Sequence, residues 1–275
     1  MSLVLMYITN NVDVALIAEK YGVDRIWIDL ETLGKEERQK GMNTVKSKHC
    51  VADIKKIKPV LKKAEVMVRI NPWNKNSKEE VNQVIAAGAD IIMLPMWENS
   101  VQVREFIKTV HGRAKTNLLL ETKKAVNCLD GVLGIEGIDE IHIGLNDLHL
   151  SYGLTFMFEL LSNGIVEKLC DKIREAGLPY GFGGLARLGC GDLPAEKIIM
   201  EHYRLKSTRA ILSRSFCNTE LITDLGEIEE VFRENMKELR NYEKKISEIS
   251  DFSINQLEVK KAVEKIVKVR RKLQQ

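Results

Sequence analysis

The sequence lacks the features of a secreted, disulfide-bonded or membrane-spanning protein. Its five cysteines stand singly, with no C-x-x-C pair, and a chain of 275 residues is long enough to fold without disulfides. We therefore expect reduced thiols and a cytoplasmic location. Nowhere do about 18 apolar residues follow one another, and residues 1–9 lack a basic region followed by a long apolar stretch. Neither a membrane span nor a secretion signal is expected.

A strong charge of either sign is also missing. Lys and Arg number 42 against 39 for Asp and Glu, which gives a formal net charge of +3. The excess lies in residues 252–275, which contain seven basic and two acidic residues. Because the rest of the chain is nearly neutral, the sequence does not favour nucleic acid or a membrane surface as a partner.

Short apolar segments alternate with helical segments along nearly the whole chain. Eight of the apolar segments have the length and residue types of β-strands: residues 3–8, 25–30, 65–70, 90–95, 117–121, 140–145, 180–186 and 209–213. Eight strands alternating with helices predict a (β/α)8 TIM barrel. The alternative, an open doubly wound sheet, would usually have a glycine-rich turn after its first strand, where Thr9, Asn10 and Asn11 stand.

The helical segments between these strands carry signals for where a helix begins and ends. Ser77 and Glu80 have the spacing of a capping box, which predicts a helix start. Four segments are followed directly by glycine, the residue that favours the left-handed conformation at a helix end: residues 11–21, 77–87, 100–111 and 166–176.

Two more helices are predicted at the end of the chain, over residues 227–248 and 254–273. Because one helix is enough to close a barrel, we predict a TIM-barrel domain over residues 1–250 and a helical appendage over residues 251–275. The Lys/Arg face of the appendage is interpreted as solvated helix surface. Its apolar stripe must pack on the barrel or on a neighbouring subunit, and it consists of Leu257, Ala262, Val263, Ile266 and Val267.

Two carboxylates end neighbouring strands of the predicted barrel, Glu121 and Asp147. The carboxyl ends of the strands meet at one mouth, where the active site of such a barrel lies, and adjacent strands are about 5 Å apart. Two ionised carboxylates at this distance repel each other unless they share a cation or a proton. Oxygen ligands suit Mg²⁺ or Mn²⁺ better than zinc, so the spacing favours a metal site. The alternative is that each carboxylate pairs with an arginine across the mouth.

Arg69 ends the third predicted strand, at the same mouth. An arginine at the end of an apolar strand is costly to leave unpaired, so we expect an anionic partner. That partner is either a substrate oxygen or one of the carboxylates Asp29 and Glu31 on the neighbouring strand. A Schiff-base lysine is not expected, because Lys115 lies at the opposite end of its strand and the other lysines fall mainly on helices or loops.

The seventh predicted strand and its loop are rich in glycine between Gly181 and Gly191. Glycine lets a backbone approach a ligand closely, and the late loops of barrels often bind anions in this way. Tight packing or a flexible loop explains the same composition, so the sequence leaves both interpretations open.

Several segments, in this order, resemble the metal-dependent hydroxy-keto-acid aldolases of the citrate lyase β-subunit superfamily: GVDRIWIDLE at 22–31, VRIN at 68–71, GADIIMLPM at 88–96, LET at 120–122 with AVN at 125–127, and GID at 137–139 with IGLNDL at 143–148. The resemblance implies a (β/α)8 barrel that binds a divalent metal, Mg²⁺ or Mn²⁺, through Glu121 and Asp147. It further implies that pyruvate or a related 2-keto acid chelates this metal. Arg69 would then lie at the enolate oxygen, and the backbone around Asn146, Asp147 and Leu148 at the substrate carboxylate.

Two positions depart from the family pattern. Many of its pyruvate aldolases have a histidine directly after the glutamate of the second strand, where this chain has Thr32, and the family often has a glutamine where this chain has Leu119. A base must take the proton of the C4 hydroxyl. His149 and a metal-bound hydroxide are the candidates, and capping of the backbone is the alternative role for His149. His142 is interpreted as a buried structural residue.

The residues and the resemblance together predict a carbon–carbon lyase. It would be a divalent-metal-dependent aldolase that cleaves or forms a 4-hydroxy-2-keto acid through a pyruvate-type enolate, stabilised by the metal and Arg69. One alternative is a lyase for a citrate-like acid or a malyl-type thioester, as in other branches of the superfamily. Another is a barrel that has lost catalysis and acts as a binding protein, which Thr32 and Leu119 favour. The family habit of exchanging terminal helices between subunits implies a homo-oligomer.

Overall fold

The strands form one closed, parallel barrel. The computed structural model describes residues 2–34 and 48–273. Within them each strand pairs with the next in chain order and the first pairs with the eighth. The strands are β1 (Val4–Ile8), β2 (Arg25–Asp29), β3 (Glu65–Arg69), β4 (Ile91–Leu94), β5 (Lys115–Leu120), β6 (Glu140–Ile143), β7 (Tyr180–Leu185) and β8 (Arg209–Leu212). The predicted (β/α)8 barrel is confirmed, and the open-sheet alternative is wrong because none of these eight strands is a sheet edge.

Helices connect the strands and cover the outside of the barrel. The described helices are α1 (Val12–Lys20), α2 (Val51–Ile57), α3 (Ser77–Ala87), α4 (Ser100–Val110), α5 (Lys123–Asn127), α6 (Leu129–Leu133), α7 (Leu145–Ser151), α8 (Glu159–Ser162), α9 (Ile165–Glu175), α10 (Ala195–Arg204), α11 (Leu225–Ile246) and α12 (Ser253–Leu273). Among the carboxyl ends of the strands, the largest difference from the prediction is at β6. It ends at Ile143 because Gly144 is the N-cap of α7, so Leu145 is helical rather than extended. None of the described helices is long and apolar enough to cross a membrane.

The predicted capping box at the start of α3 is wrong. The Ser77 hydroxyl accepts the amide hydrogen of Asn74 at 2.8 Å, within the preceding turn. Glu80 reaches further back and accepts hydrogen bonds from the amide and the side chain of Asn71, at 3.1 and 2.8 Å. The Asn71 side-chain oxygen in turn accepts the amide hydrogen of Thr32 at 3.0 Å. Glu80 therefore fixes the loops after β2 and β3, at the mouth of the barrel.

Two apolar layers hold the barrel together. The larger one lies between the strands and the helices. The smaller one fills the inside of the barrel with six buried side chains: Met6, Trp27, Met67, Ile91, Met93 and Leu119. Side chains alternate between these layers along each strand. On β2 and β3 the charged residues at both ends therefore share a face with Trp27 and Met67, above and below the inner apolar layer.

The amino ends of the strands enclose a buried ion network around Glu140. Two Arg25 nitrogens bind the two Glu140 oxygens at 2.6 and 3.0 Å, and Arg209 binds the same carboxylate at 2.8 Å. The Asn117 amide donates at 2.6 Å, and Glu65 accepts from Arg25 at 3.1 Å. Burial alone would raise the pKa of Glu140, but these two guanidinium groups hold it below its ordinary value. The buried charges of Arg25, Glu140 and Arg209 are therefore paired with one another at this end of the barrel.

The C-terminal helices pack on the barrel of their own chain. Helix α12 lies against α8 and α10, and it buries Val259, Val263 and Val267. Its apolar stripe therefore packs on the barrel, which answers one alternative left open by the sequence. Leu257 was predicted in that stripe but is 52% exposed, so this part of the prediction is wrong.

Candidate active site

A cavity of about 220 Å³ lies inside the mouth of the barrel, at the carboxyl ends of the strands. We call it the carboxylate cavity. Four residues predicted for the site line it: Arg69, Glu121, Asn146 and Asp147. Its other lining residues are Ile8, Trp27, Asp29, Leu119, His142, Gly144, Leu145, Met157, Gly183, Gly184 and Ile211. Residues far apart in the sequence are thus brought together where the fold predicts an active site.

Glu121 is held in the carboxylate cavity by a strained backbone. The side chain is 3% exposed, and one of its oxygens accepts the amide hydrogen of Met96 at 3.0 Å. Met96 has a positive φ of 51°, a conformation that costs a non-glycine residue about 1–3 kcal/mol. Burial raises the pKa of Glu121 well above its ordinary value, and repulsion from Asp147 and Glu31 raises it further. A cation or a proton at this carboxylate would relieve that repulsion.

Gly144 leaves the space that the Glu121 carboxylate occupies. A Cβ atom at this position would lie 2.9 Å from Oε2 of Glu121 and 3.0 Å from its Cβ. Any side chain would therefore push the carboxylate out of place. Because β6 and α7 meet at this residue, Gly144 sets how closely Glu121 approaches Asp147 on the first turn of the helix.

The three residues predicted to bind a substrate carboxylate lie on α7, and the structure separates them. Asn146 and Asp147 line the carboxylate cavity, and Asp147 is 8% exposed. Leu148 is fully buried in the outer apolar layer, and its amide donates to the Gly144 carbonyl oxygen at 3.0 Å within the helix. Of the three, Asn146 and Asp147 are placed where they could contact a ligand in the cavity.

Arg69 pairs with the two carboxylates of the neighbouring strand, one of the two kinds of partner expected for it. Two of its nitrogens bind the two Asp29 carboxylate oxygens at 2.9 and 2.8 Å, and a third lies 3.3 Å from Glu31. Its guanidinium also lies over the Trp27 ring, at 5.2 Å from the centroid. Burial alone would lower the pKa of Arg69, but Asp29 and Glu31 raise it, so the group stays charged. Even with all three contacts made, two of its five N–H donors remain for a ligand.

The donor set of the carboxylate cavity fits a hard divalent cation. Asp29, Glu121 and Asp147 line the cavity with three carboxylates against the single guanidinium of Arg69, and Glu31 pairs with that guanidinium. No group of three or more acidic, histidine or cysteine side chains in the described residues is arranged to hold a metal. Two carboxylates with further positions open to water and substrate are the usual protein contribution to a Mg²⁺ site. The residues therefore fit such an ion only as part of its ligand set.

His149 lies on α7, one helical turn along from Leu145, and is 5% exposed. Its Nδ1 is 3.2 Å from the Leu145 carbonyl oxygen. Since a carbonyl only accepts, Nδ1 carries the proton and Nε2 has the free lone pair. Burial lowers the pKa of His149, which favours the neutral ring. The histidine therefore caps the backbone, as one alternative predicted, and keeps the tautomer that a base needs.

Sequence reasoning missed two histidines of the mouth. His142 is fully buried, as predicted, yet it also lines the carboxylate cavity, and burial lowers its pKa to about 4, so it is neutral near pH 7. His49 accepts the amide hydrogen of Asp29 at its Nδ1, at 3.0 Å. Strand alternation placed His142 inside the barrel and could have suggested its position. No local pattern marks His49, because only the folded chain brings it to the end of β2.

Solved structures share this fold at low sequence identity. An HpcH/HpaI aldolase from Desulfitobacterium hafniense DCB-2 has a TM-score of 0.57 and 18% identity over 77% of this chain and 86% of its own. The citrate synthase SbnG has a TM-score of 0.56 and 15% identity over 90% of this chain and 96% of its own. At these identities the likeness establishes the barrel alone.

Sequence comparison gives a closer relation. A 2-keto-3-deoxy-L-rhamnonate aldolase from Shigella dysenteriae serotype 1 (strain Sd197) is 27% identical over 40% of this chain. The chain spans about half the length of that relative, 53%. The family model of the HpcH/HpaI aldolases and citrate lyases matches residues 3–161, which include Arg69, Glu121 and Asp147. Since the match covers more than half of the sequence, the chain belongs to the HpcH/HpaI aldolase/citrate lyase family.

Proposed function

We propose that this protein is a divalent-metal-dependent aldolase that cleaves or forms a 4-hydroxy-2-keto acid. The observation that carries the proposal is the carboxylate cavity, where Glu121 and Asp147 from neighbouring βα units face Arg69. The raised pKa of Glu121 supports it, because a carboxylate that repels its neighbours gains most from a bound cation. Membership of an aldolase family supports the reaction class.

Glu121 and Asp147 would hold the metal, Mg²⁺ or Mn²⁺. When bound, such an ion polarises the keto oxygen of the substrate and lowers the energy of the enolate. Arg69 supplies a second positive charge at the same oxygen. Its contacts with Asp29 hold the guanidinium in place before the substrate arrives, so little reorganisation is needed as the negative charge develops.

His149 is the proposed base for the C4 hydroxyl. In the cleavage direction its Nε2 takes the hydroxyl proton, and the O–H electron pair forms the carbonyl of the leaving aldehyde. The C3–C4 bond breaks, and its electron pair passes into the enolate that Arg69 stabilises. The Leu145 carbonyl oxygen at Nδ1 keeps Nε2 free to accept that proton.

The family also includes citrate lyases, which supports a second candidate, a lyase for a citrate-like acid. Such a reaction also passes through an enolate and would use Glu121, Asp147 and Arg69 in the same roles. It differs in the acid that forms the enolate, so a substrate test separates the two candidates.

The test is proton NMR of pyruvate in D₂O with purified protein, with Mg²⁺ or Mn²⁺ and again with EDTA. We expect loss of the methyl signal as deuterium enters at C3, only in the presence of metal and faster than with metal alone. The exchange needs no aldehyde, so it reports enolate formation by itself. Substitution Glu121→Ala should abolish it, because one of the two proposed metal ligands is removed.

The matched control is Glu136→Ala, which removes an exposed carboxylate far from the mouth and should leave the exchange rate unchanged. Exchange that persists in EDTA or in the Glu121 variant would contradict the proposal. If no exchange occurs with either metal, isothermal titration with Mn²⁺ separates the remaining candidates: binding favours a lyase for another acid, and no binding favours a non-catalytic protein.

A further inference from the structure

We infer that the acid which forms the enolate carries a hydroxyl group at C3, and that His142 and Trp27 bind this hydroxyl at the inner end of the carboxylate cavity. The inference rests on the proposed aldolase function and names the class of its nucleophilic substrate, a 3-hydroxy-2-keto acid. It stands on two buried polar groups of the cavity that the proposed metal site and Arg69 leave unused.

Trp27 supplies a hydrogen-bond donor. Its side chain belongs to the inner apolar layer, lines the carboxylate cavity and is 2% exposed. The indole N–H can only donate, and it has no hydrogen-bond partner among the described residues. Buried tryptophans usually find a partner for this group, because a buried donor without one costs free energy. The Trp27 N–H is therefore available to an acceptor that enters the cavity.

His142 supplies a hydrogen-bond acceptor. It lines the same cavity from β6 and is fully buried. Neither ring nitrogen makes a hydrogen bond of good geometry within the part of the chain that the structure describes. Burial lowers the pKa of His142, and the Gly183 backbone opposes this shift, as a carbonyl oxygen near the ring N–H does. Because a neutral imidazole has one N–H and one lone pair, this contact leaves the lone pair for a donor from the cavity.

The neighbouring strands leave space beside the His142 ring. In the strand pairing His142 stands between Leu119 of β5 and Gly181 of β7. Gly181 has no side chain, so β7 places nothing beside the imidazole at this level. Gly183 and Gly184 follow on the same strand and line the cavity. The glycines of β7 thus keep this side of the carboxylate cavity open.

Two other buried side chains show that a missing partner alone does not make a site. Trp97 Nε1 and His202 Nε2 also lack a partner in the described structure. Neither residue lines the carboxylate cavity. Trp27 and His142 differ from them because both face the space in which Glu121 would hold the metal.

A hydroxyl group matches this pair, because it accepts the indole N–H and donates its own hydrogen to the imidazole lone pair. The carboxylate and keto oxygens of the acid have no hydrogen to donate. They are also the atoms that the proposed metal and Arg69 bind, so C3 is the position left for a hydroxyl. The cavity volume of about 220 Å³ is below the range of about 300–1,000 Å³ common for small-molecule sites, which restricts the acid to a few atoms.

This arrangement discriminates against an acid that lacks the hydroxyl. The cavity is shielded from bulk water, since Glu121 is only 3% exposed. When pyruvate binds, the indole N–H and the imidazole lone pair stay unpaired, whereas 3-hydroxypyruvate pairs both. Sites with polar groups placed for a substrate hydroxyl reject an analogue without it more strongly than an apolar pocket rejects a change in size.

The experiment follows a mixture of pyruvate and 3-hydroxypyruvate by proton NMR in D₂O, with Mg²⁺ and purified protein. Both acids lose their C3 proton signals as deuterium enters. Because they compete for the same enzyme, the ratio of the two rates is the ratio of their kcat/KM values. Each rate is divided by the rate with Mg²⁺ alone, which removes the different acidity of the two acids. We expect the wild-type protein to favour 3-hydroxypyruvate by about tenfold or more.

The variants remove one hydrogen-bonding group at a time. His142→Phe should bring the ratio close to one, and His142→Gln should restore part of it because the amide oxygen accepts a hydrogen bond. Trp27→Phe should lower the ratio as well, since the indole N–H is lost while an aromatic ring is kept. The ratio is measured within one sample, so a smaller folded fraction does not change it.

The matched controls are His202→Phe and Trp97→Phe. Both residues are fully buried, and neither lines the carboxylate cavity. Phenylalanine keeps an aromatic ring to stack on Phe182, whose centroid lies 3.9 Å from that of His202. Both variants should keep the wild-type ratio.

The outcomes separate this inference from the proposed function. A wild-type ratio near one would overturn the inference while enolate formation stands. A preference that survives His142→Phe, or one that the two controls lose to the same extent, would overturn it as well. If neither acid exchanges faster than with Mg²⁺ alone, the proposed function fails and the inference fails with it.

Discussion

At the amino ends of the strands Glu140 lies between Arg25 and Arg209, whereas at the carboxyl ends Glu121 lies among other carboxylates. The two side chains are buried to a similar degree, at 2% and 3% exposure. Burial raises the pKa of both, but attraction from the two arginines reverses the shift at Glu140, and repulsion from Asp147 and Glu31 adds to it at Glu121. The ionised form of a buried glutamate is thus stabilised at the amino ends and destabilised at the carboxyl ends.

The difference agrees with a division of roles in which the amino end serves stability and the carboxyl end, under the proposed function, binds a cation. A buried charge that is fully paired strengthens the fold only as long as its partners stay, and removing one partner is strongly destabilising. A carboxylate held next to other carboxylates weakens the metal-free fold and strengthens the binding of a cation. Each prediction below changes one end and leaves the other intact.

The largest effect is expected from Glu140→Gln. The amide keeps the shape of the side chain but leaves Arg25 and Arg209 without their shared countercharge. Loss of one partner from a buried ion network costs about 3–5 kcal/mol, and we expect a drop of that size in the free energy of unfolding in urea. The control is Asp130→Asn, which removes an exposed carboxylate paired with Lys172 and should cost at most about 1 kcal/mol. Equal effects of the two substitutions would show that the network adds nothing beyond a surface pair.

An intermediate effect is expected from the metal. A ligand that binds only the folded protein stabilises it by about 2.7 kcal/mol at a concentration one hundred times its Kd. Mn²⁺ should therefore raise the midpoint of thermal unfolding, and EDTA should remove the increase. Glu121→Gln should show no such increase. Glu140→Gln should show the same increase, measured from its own lower midpoint without metal. Stabilisation by Mn²⁺ that survives in Glu121→Gln would place the metal elsewhere.

Much of this comparison could be predicted from the sequence, because the relevant signals are local. Alternating strand and helix patterns gave the barrel, and the rule that strand ends converge placed Arg69, Glu121 and Asp147 at one mouth. The position of Lys115 at the opposite end was also predicted, and there it binds Glu65 at 2.5 Å. Each of these follows from where a residue stands on its own strand.

Other features depend on contacts between distant parts of the chain, which no local pattern specifies. The choice of Arg69 between Asp29 and a substrate oxygen was open, because both agree with a charged residue at a strand end. Leu148 was predicted at the substrate carboxylate together with Asn146, and only the helix turn places it in the apolar layer. Glu80 was assigned to a helix cap, whereas tertiary packing turns it toward Asn71.

The smallest effect, opposite in sign to the first, is expected from Glu121→Gln without metal. The amide keeps an oxygen to accept the Met96 amide hydrogen and removes the charge that Asp147 and Glu31 repel. We expect the metal-free variant to be more stable than wild type by about 1 kcal/mol near pH 7, the size of effect common when a strained functional group is neutralised. Urea unfolding in EDTA measures it, and a destabilised variant would show that Glu121 is compensated in the folded protein.

The two glutamate variants should also differ in how their unfolding free energy depends on pH. The pKa of Glu121 is raised in the folded state, so wild type binds this proton more tightly when folded and loses stability as pH rises through that pKa. The difference in unfolding free energy between Glu121→Gln and wild type should therefore grow from pH 5 to pH 8. The pKa of Glu140 is lowered, so its stabilisation is complete above the unfolded value of about 4.3 and is lost as pH falls through the folded pKa. The loss of unfolding free energy in Glu140→Gln should thus stay constant over the same range and become smaller only in stronger acid. The two variants differ in this way because the two carboxylates differ in the charge around them rather than in their burial.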